Sequence, residues 1–340
     1  MIFAMVVIGG ITRLTVSGLS ITEWQPVTGI IPPLSAAAWA AEFEKYQHIP
    51  QYRLLNSGMS LADFQTIYRW EYTHRLWGRL IGVVYAVPFL YFWLRGRLPR
   101  QLLVPLGGIL LLGAAQGALG WYMVESGLAD RIDVSQYRLV AHLVLALAIY
   151  ALTLWIALGL LEASVSPHPN PPPLAGEGVR RVRGERVGAG WRRGAEAIIA
   201  LVALTIIAGG FVAGLHAGLT YNTFPLMDGS VMPAGYDQLR PFLRNWFENV
   251  AAVQFDHRLL AMTTAAAVLL LWSAGRRAAL PVPARLALHA LLAVAAVQFA
   301  LGVATLLLVV PIPLAAAHQG GAVLLLTAAI VFRHALRASA

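Results

Sequence analysis

Residues 71–94 read EYTHRLWGRLIGVVYAVPFLYFWL, and a related stretch, QFDHRLLAMTTAAAVLLLW, occupies residues 254–272. In each stretch a histidine is followed by an arginine and then by a long apolar run. A run of about 20 apolar residues has the length of a membrane-spanning helix. The pattern therefore predicts membrane spans that begin with a histidine, and its recurrence indicates an internal duplication.

The composition of the whole chain also favours a membrane protein. Hydrophobic residues make up 58% of the 340 residues and charged residues 12%, with a mean hydropathy of +0.67, whereas a soluble domain is about 25% charged. These values exclude a soluble globular protein, a disordered tail and a coiled coil. The net charge of +9 could suggest nucleic acid in a soluble protein. Here we assign it to cytoplasmic loops, and we expect membrane lipid as a partner and no nucleic acid.

The chain contains no cysteine. This excludes a disulfide framework, an iron–sulfur cluster, a thiolate-ligated heme and a cysteine-type zinc site. A bound metal must therefore rely on histidine, methionine or carboxylate ligands.

The apolar runs predict an all-α integral membrane protein with eight transmembrane helices. They cover residues 1–17, 76–94, 102–123, 139–161, 196–215, 250–273, 286–310 and 314–332. Arginines cluster in alternate loops, at residues 95–100, 180–193, 276–285 and 333–337. The opposite loops, which include Asp130, Arg131 and Asp133, are nearly balanced in charge. The positive-inside rule then places both termini in the cytoplasm.

Two segments lie outside the spans. Residues 18–70 form a long outer loop with two amphipathic stretches, near 36–47 and 60–70, and a long ordered loop is usually functional. Residues 162–195 are rich first in proline and glycine and then in arginine, without apolar periodicity. This segment predicts a disordered basic cytoplasmic linker.

Matching motifs divide the chain into two halves. The matched stretches are Gly9-Gly10 with Gly209-Gly210, AQGALG (115–120) with VQFALG (297–302), and AHLVLAL (141–147) with AHQGGAVLLL (317–326). Each half holds four predicted spans, and an even number of spans makes the two repeats parallel. We therefore expect two four-helix bundles, over residues 1–161 and 196–340.

Four histidines are matched between the halves: His74, His142, His257 and His318. They fall at the starts of spans that all run from outside to inside, so their imidazoles should lie at similar depth. Two facing histidines on different helices of a bundle can hold a heme iron from both sides. A zinc or copper site is the competing metal interpretation, but two histidines without cysteine are a poor ligand set for either. Any single histidine could also be a hydrogen-bonded interior residue.

Glu71 distinguishes the two halves, because the corresponding residue is Gln254. Glu71 lies three residues before His74, so the two share a helix face. It could act as an acid/base or water-positioning group beside one heme, or it could be an interfacial carboxylate paired with Arg69 or Arg75. The asymmetry suggests that one half does chemistry and the other transfers or stores electrons.

Arg75 and Arg258 directly follow two of the histidines. A guanidinium can bind a heme propionate through two parallel hydrogen bonds, or it can extend to the outer headgroups. We assign both arginines to propionates because both recur in the repeat. Gln116 and Gln298 are also matched, and they predict hydrogen bonds between neighbouring helices.

Several of these stretches, in this order, resemble the Cox15/CtaA family of heme A synthases. They are GGITRLTVSGLSITEWQPVTGIIPP (9–33), EYTHRLWGRLIG (71–82), AQGALGWYMVESGL (115–128), DHRLLA (256–261) and AAAHQ (315–319). The resemblance covers nearly all of the chain except the linker. The absence of cysteine resembles the branch of the family without an outer-loop cysteine pair.

The resemblance implies an enzyme that oxidises the C8 methyl group of heme O to a formyl group, by successive hydroxylations, to give heme A for cytochrome c oxidase. It implies that His257 and His318 hold the iron of a heme b cofactor and that His74 and His142 flank the iron of the substrate heme. Glu71 matches the essential glutamate beside the substrate. A bacterial inner-membrane location, a heme O synthase as partner and an unidentified electron donor are also implied, and the oligomeric state is left open.

Two other functions are compatible with the residues. A diheme b-type membrane protein for electron transfer would carry two permanent hemes and would not need Glu71. A heme transporter or chaperone would release its heme unchanged, although transporters often have inverted rather than parallel repeats.

Overall fold

The computed structural model describes residues 1–25, 28–128, 132–165 and 178–337. These residues form helices, with no strand beyond one isolated bridge between Met227 and Ser230. The chain divides into two compact units, Met1–Ile149 and Tyr150–Ala340. The all-α class predicted from the sequence is confirmed.

The α-helices of the described residues are numbered in chain order. They are α1 (Ile2–Leu14), α2 (Ala36–Gln47), α3 (Pro50–Leu55), α4 (Leu61–Leu94), α5 (Arg100–Leu128), α6 (Gln136–Val165), α7 (Gly178–Gly214), α8 (Asn245–Glu248), α9 (Val250–Gly275), α10 (Val282–Leu307) and α11 (Ile312–Ala335). Short 3₁₀ turns lie at Thr28–Ile30, Ala217–Leu219 and Phe242–Arg244. Every predicted apolar run lies largely within α1 or one of the long helices.

Seven of the described helices are long and apolar enough to cross a membrane: α4, α5, α6, α7, α9, α10 and α11. Helix α1 is also apolar but has only 13 residues. The chain is therefore a multi-pass membrane protein, as predicted. The eighth span and the arrangement as two bundles stay predictions.

Helix α4 begins well before the predicted span. Ser60 caps its first turn, because its side-chain oxygen accepts a hydrogen bond from Asp63 N at 3.2 Å. Neither proline nor glycine follows before Gly78. An amphipathic stretch of the outer loop and the apolar run therefore form one continuous helix. Glu71 and His74 consequently lie in the interior of this helix rather than at its start.

The helices on either side of the predicted linker extend into it. Helix α6 continues to Val165, and helix α7 begins at Gly178. All prolines of the linker precede Gly178, so no proline interrupts the helix that follows. Residues 166–177 lie outside the described residues, as do Asp130 and Arg131 of the second outer loop. The linker and the domain boundaries stay predictions.

The long first loop supplies most of a buried core, and half of the core residues are aromatic. Its members are Leu19, Tyr46, Ile49, Phe64, Tyr68 and Val134. Tyr46 and Phe64 are fully buried, and their ring centroids lie 5.2 Å apart. The amphipathic stretch predicted near 36–47 is helix α2, which carries Tyr46 into this core. The described residues of the loop therefore pack on the first turns of α4.

Tyr46 also belongs to a buried polar network. Its hydroxyl donates to Gln51 Oε1 at 2.9 Å and accepts from Asn56 Nδ2 at 2.6 Å. Gln51 Nε2 donates to the Ile132 carbonyl at 3.2 Å. Burial raises the pKa of the Tyr46 phenol, so the hydroxyl stays protonated and remains a donor. The network ties α2 and α3 to the loop before α6.

We expect Tyr46→Phe to reduce the free energy of unfolding by about 1–3 kcal/mol, because the buried Gln51 and the partly buried Asn56 would lose their partner. Tyr52→Phe is the matched control, since Tyr52 is less buried and its hydroxyl accepts one long bond, from Gln47 Nε2 at 3.4 Å. Thermal unfolding in detergent should give a lower midpoint for Tyr46→Phe and a nearly unchanged midpoint for the control. Equal midpoints for Tyr46→Phe and the unaltered protein would show that the network adds no stability.

Candidate functional site

Each of the four predicted ligand histidines packs against a glycine on another helix. His74 on α4 faces Gly9 on α1, His142 on α6 faces Gly120 on α5, His257 on α9 faces Gly209 on α7, and His318 on α11 faces Gly302 on α10. A methyl group on these glycines would lie 3.1, 3.0, 3.0 and 2.8 Å, in the same order, from the nearest imidazole atom. Any larger side chain would push the ring aside, so the glycines determine where the four imidazoles lie.

These glycines are the site residues that sequence reasoning missed. It used all four only as markers of the repeat. Their recurrence in both halves, on helices that precede the histidine-bearing ones, is the signal that could have identified them. Small residues let two helices approach closely in a membrane, and here that approach places a glycine against each ring.

His257 and His318 face each other in the second unit. Their ring centroids lie 6.5 Å apart, and the ring planes are inclined by 82°. His257 Nδ1 donates to the Thr205 carbonyl at 3.1 Å, so the ring proton lies on Nδ1 and Nε2 keeps a free lone pair. Hydrogen bonds of this kind orient metal-ligating histidines. Because metal–imidazole bonds are about 2 Å long, the gap fits one metal ion between the two rings.

His74 and His142 are arranged differently in the first unit. No ring contact joins them in the part of the chain that the structure describes. His142 Nε2 instead lies 3.2 Å from Gln116 Nε2. Gln116 also donates to the His142 carbonyl at 3.1 Å, and Gln298 donates to the His318 carbonyl at 3.0 Å. The predicted hydrogen bonds between helices are confirmed for both glutamines.

The ligand set of these histidines fits heme better than zinc. Among the described residues, no group of three or more histidine, cysteine, aspartate or glutamate side chains could hold a metal ion. Protein zinc sites use three or four such ligands. A heme iron needs only axial ligands, because the porphyrin supplies the others. Two facing histidines, one of them with a free and oriented Nε2, meet that need.

Glu71 is 2% exposed and accepts four hydrogen bonds. Its Oε2 accepts from the Ser20 hydroxyl at 2.7 Å and from Ile21 N at 2.8 Å. Its Oε1 accepts from Arg75 Nε at 3.0 Å and from Arg75 Nη2 at 2.6 Å. The ion pair with Arg75 is therefore present, and the carboxylate also fastens the loop after α1 to α4. The catalytic role of Glu71 stays a prediction.

Gln254 takes the corresponding place in the second unit and is also 2% exposed. Its Nε2 donates to the carbonyls of Ala217 at 2.8 Å and Thr220 at 2.6 Å. Its Oε1 accepts from Arg258 Nη2 at 3.1 Å. Both residues thus fasten a loop to a helix, but Glu71 accepts from its loop whereas Gln254 donates to its loop. Only Glu71 brings a negative charge to this position.

Arg75 and Arg258 hold the same two loops through backbone carbonyls. The accepting carbonyls are Ile21 at 2.8 Å and Glu23 at 3.1 Å for Arg75, and Tyr221 at 2.5 Å and Thr223 at 2.8 Å for Arg258. Arg258 Nε is buried with no hydrogen-bond partner in the described part of the chain. Arg75 lines a cavity of about 520 Å³ together with Tyr72 and Arg79. The propionate role assigned to both arginines stays a prediction.

Comparison with known proteins shows what this chain is similar to. The sequence model of the COX15-CtaA family, described as a cytochrome oxidase assembly protein, matches residues 1–330. A curated relative named Heme A synthase from Nitrosospira multiformis is 53% identical over 99% of this chain and 90% of its own length. The relatives of that name from Rhodospirillum centenum and Nitrosomonas eutropha are 52% and 48% identical, over 99% and 97% of this chain and 86% and 89% of their own lengths.

The matched region contains every feature of the site. Residues 1–330 include all four histidine–glycine contacts, both glutamines and the Glu71–Arg75 pair. Identity near one half extends over almost the full length of this chain. The chain therefore belongs to the COX15-CtaA family of cytochrome oxidase assembly proteins.

Proposed function

We propose that the protein oxidises the C8 methyl group of heme O to a formyl group, by two successive hydroxylations, and so makes heme A for cytochrome c oxidase. The observation that carries this proposal is the presence, among the described residues, of two pairs of histidine–glycine contacts with a buried carboxylate beside only one pair. Membership of the family and relatives named Heme A synthase support the same reaction.

For the membrane arrangement we propose eight transmembrane helices in two parallel-repeat four-helix bundles, over residues 1–161 and 196–340, joined by the linker 162–195. Contacts of α4 with α1 and α5 support the first bundle, and contacts among α7, α9, α10 and α11 support the second. The contact between Gly9 and His74 favours α1 as the eighth span despite its length. The arginine-rich loops favour cytoplasmic termini in a bacterial inner membrane.

In the second half, His257 and His318 are assigned to the iron of a permanent heme b. When bound, heme b supplies one-electron transfer. The Thr205 carbonyl orients His257, and a glycine against each ring sets its position. The buried Nε of Arg258, which has no partner in the described residues, supports a role for this arginine toward an anionic propionate.

In the first half, His74 and His142 are assigned to the iron of the substrate heme O, and Arg75 to its propionates. A methyl C–H bond has no useful acidity, so no side chain can oxidise it alone. The redox chemistry must come from a redox group, and the protein supplies orientation and electrostatics. The residues of this half therefore position the C8 methyl group and shape the field around it.

Glu71 supplies a fixed negative charge to this site. A carboxylate has about four lone-pair sites, and four donors occupy those of Glu71. Only the ionised form can accept all four bonds, so taking up a proton would break at least one of them. Glu71 could shuttle protons, order water or stabilise a developing positive charge, and its saturated carboxylate favours the third role.

The substrate and the electrons must reach the protein from other components. Heme O is hydrophobic and membrane-bound, which favours delivery from a neighbouring heme O synthase within the lipid bilayer. Two hydroxylations also require an electron donor. We propose the heme O synthase and the electron donor as partners of this protein.

Heme extracted from the purified protein should contain heme b together with heme O, hydroxylated heme O or heme A, when the host makes heme O. The non-covalent hemes are separated by reverse-phase chromatography. Heme b alone, in the presence of abundant heme O, would favour the electron-transfer cytochrome. Heme O that is bound and released without oxidation would favour the transporter.

Glu71→Gln should retain heme b and reduce heme A formation by about a hundredfold, the usual effect of removing one electrostatic group from a site. Glutamine keeps one acceptor oxygen, for either Ile21 N or Arg75, and the bonds from Arg75 to the Ile21 and Glu23 carbonyls still hold the loop. Heme A formed per bound heme b is the measurement. The control Glu248→Gln removes an exposed ion pair with Arg244, at 2.5 Å, and should leave the output unchanged. Normal output from Glu71→Gln would refute a role for the charge.

Gly302→Ala should weaken retention of heme b by roughly tenfold, because a methyl group 2.8 Å from His318 overpacks the ring. Gly120→Ala should retain heme b but weaken binding of added heme O, because its methyl group would lie 3.0 Å from His142. Gly117→Ala is the matched control on α5, since its Cβ meets no atom within 4 Å. Optical spectra and titration with heme O measure the two sites. Loss of heme b from the control would show that these substitutions act on the fold.

A further inference from the structure

Gln116 contacts the ring of His142 as well as its backbone. The amide nitrogen lies 3.1 Å from the His142 carbonyl oxygen and 3.2 Å from His142 Nε2. A carbonyl can only accept, so the Gln116 atom that faces His142 is the amide nitrogen, which has two protons to donate. His142 Nε2 therefore accepts a hydrogen bond from the second amide N–H, and the ring carries its own proton on Nδ1.

This hydrogen bond uses the lone pair that a metal ion would use. A neutral imidazole has one ring nitrogen that can accept a hydrogen bond or bind a metal, and in His142 that nitrogen is Nε2. Iron ligation by His142 Nε2 and the bond from Gln116 therefore exclude each other. His142 Nδ1 is buried and has no partner among the described residues, so no bond at Nδ1 anchors the ring once the Gln116 bond is broken.

The described part of the second unit shows no such contact. Gln298, the repeat counterpart of Gln116, donates to the His318 carbonyl at 3.0 Å and makes no bond to the His318 ring there. His257 is anchored at Nδ1 by the Thr205 carbonyl and presents its Nε2. The two units thus differ at the ligating atom. A hydrogen bond holds His142 Nε2 in the first unit, whereas Gln298 makes no bond to the corresponding ring of His318 in the described part of the second.

We propose that Gln116 is a positioning residue that makes His142 an exchangeable ligand of the substrate heme. Its amide donates a hydrogen bond to His142 Nε2 until heme O binds. Iron ligation then replaces this hydrogen bond at Nε2, and the hydrogen bond forms again when the product leaves. This inference rests on the proposed function, because it takes His74 and His142 as the ligands of heme O. A competing hydrogen bond weakens ligation by a factor of about ten or less, which suits a heme that must leave after each turnover.

Gln116→Leu tests this proposal in the full-length protein purified with its heme b. Leucine has a similar volume and no donor, so His142 Nε2 loses its competitor. Titration with ferric heme O, followed by optical difference spectra, should show about three- to tenfold tighter binding. It should also show a larger six-coordinate low-spin fraction and slower transfer of heme O to a heme-scavenging globin. Gln116→Met, an unbranched apolar substitution, should give the same shift.

Gln298→Leu is the matched control, because Gln298 donates to a carbonyl and not to a ring. It should leave the heme O titration unchanged. The heme b spectrum checks that each variant is folded. Unchanged or weaker heme O binding in both Gln116 variants, with heme b retained, would overturn the proposal and leave Gln116 as a brace between α5 and α6.

His74→Ala separates this result from a failure of the proposed function. If His74→Ala abolishes heme O binding while the Gln116 variants show no gain, the inference about Gln116 is wrong and the substrate site stands. If His74→Ala leaves heme O binding intact, the assignment of the substrate site to His74 and the inference about Gln116 are both wrong, while oxidation of heme O would be tested by heme A formation.

Discussion

The contact between each imidazole and a glycine of a neighbouring helix is the constraint on which the site depends. A polar ring within a membrane span is costly unless its surroundings hold it and use its nitrogens. Glycines on α1, α5, α7 and α10 bring these helices close enough to hold the four rings. The bonds that orient the rings, from His257 to Thr205 and from Gln116 to His142, form across the same close helix contacts.

A second constraint fastens the loops that follow α1 and α7. In each unit an arginine and the residue four positions before it bond to the loop backbone, as Arg75 and Glu71 do in the first and Arg258 and Gln254 in the second. The neutral Gln254 shows that this task needs no charge. A buried ion pair is weak evidence for stability, because desolvation opposes the attraction. The fastening of the loop therefore does not by itself explain the charge of Glu71.

The duplication provides two similar sites, and a few atoms distinguish them. The second unit presents facing rings, with His257 Nε2 free, and we propose that this unit holds the permanent heme. The first unit combines a buried carboxylate with a ring nitrogen that is already hydrogen-bonded, and we propose that this unit binds the reacting heme. These differences arise from single side chains, whereas the helices that carry them have counterparts in both halves.

Linear patterns in the amino-acid sequence were enough to establish the membrane class, the four matched histidines, the contrast between Glu71 and Gln254, and the bonds of the two glutamines between helices. Hydropathy, charge and repeats are properties of residues in order along the chain, so they can be recognised without coordinates. Tertiary structure was needed to show that glycines hold the rings, that Arg75 and Arg258 bond to loop carbonyls, and that Gln116 reaches His142 Nε2. These contacts depend on side-chain directions and on distances between helices that are far apart in the chain, and no linear pattern contains that information.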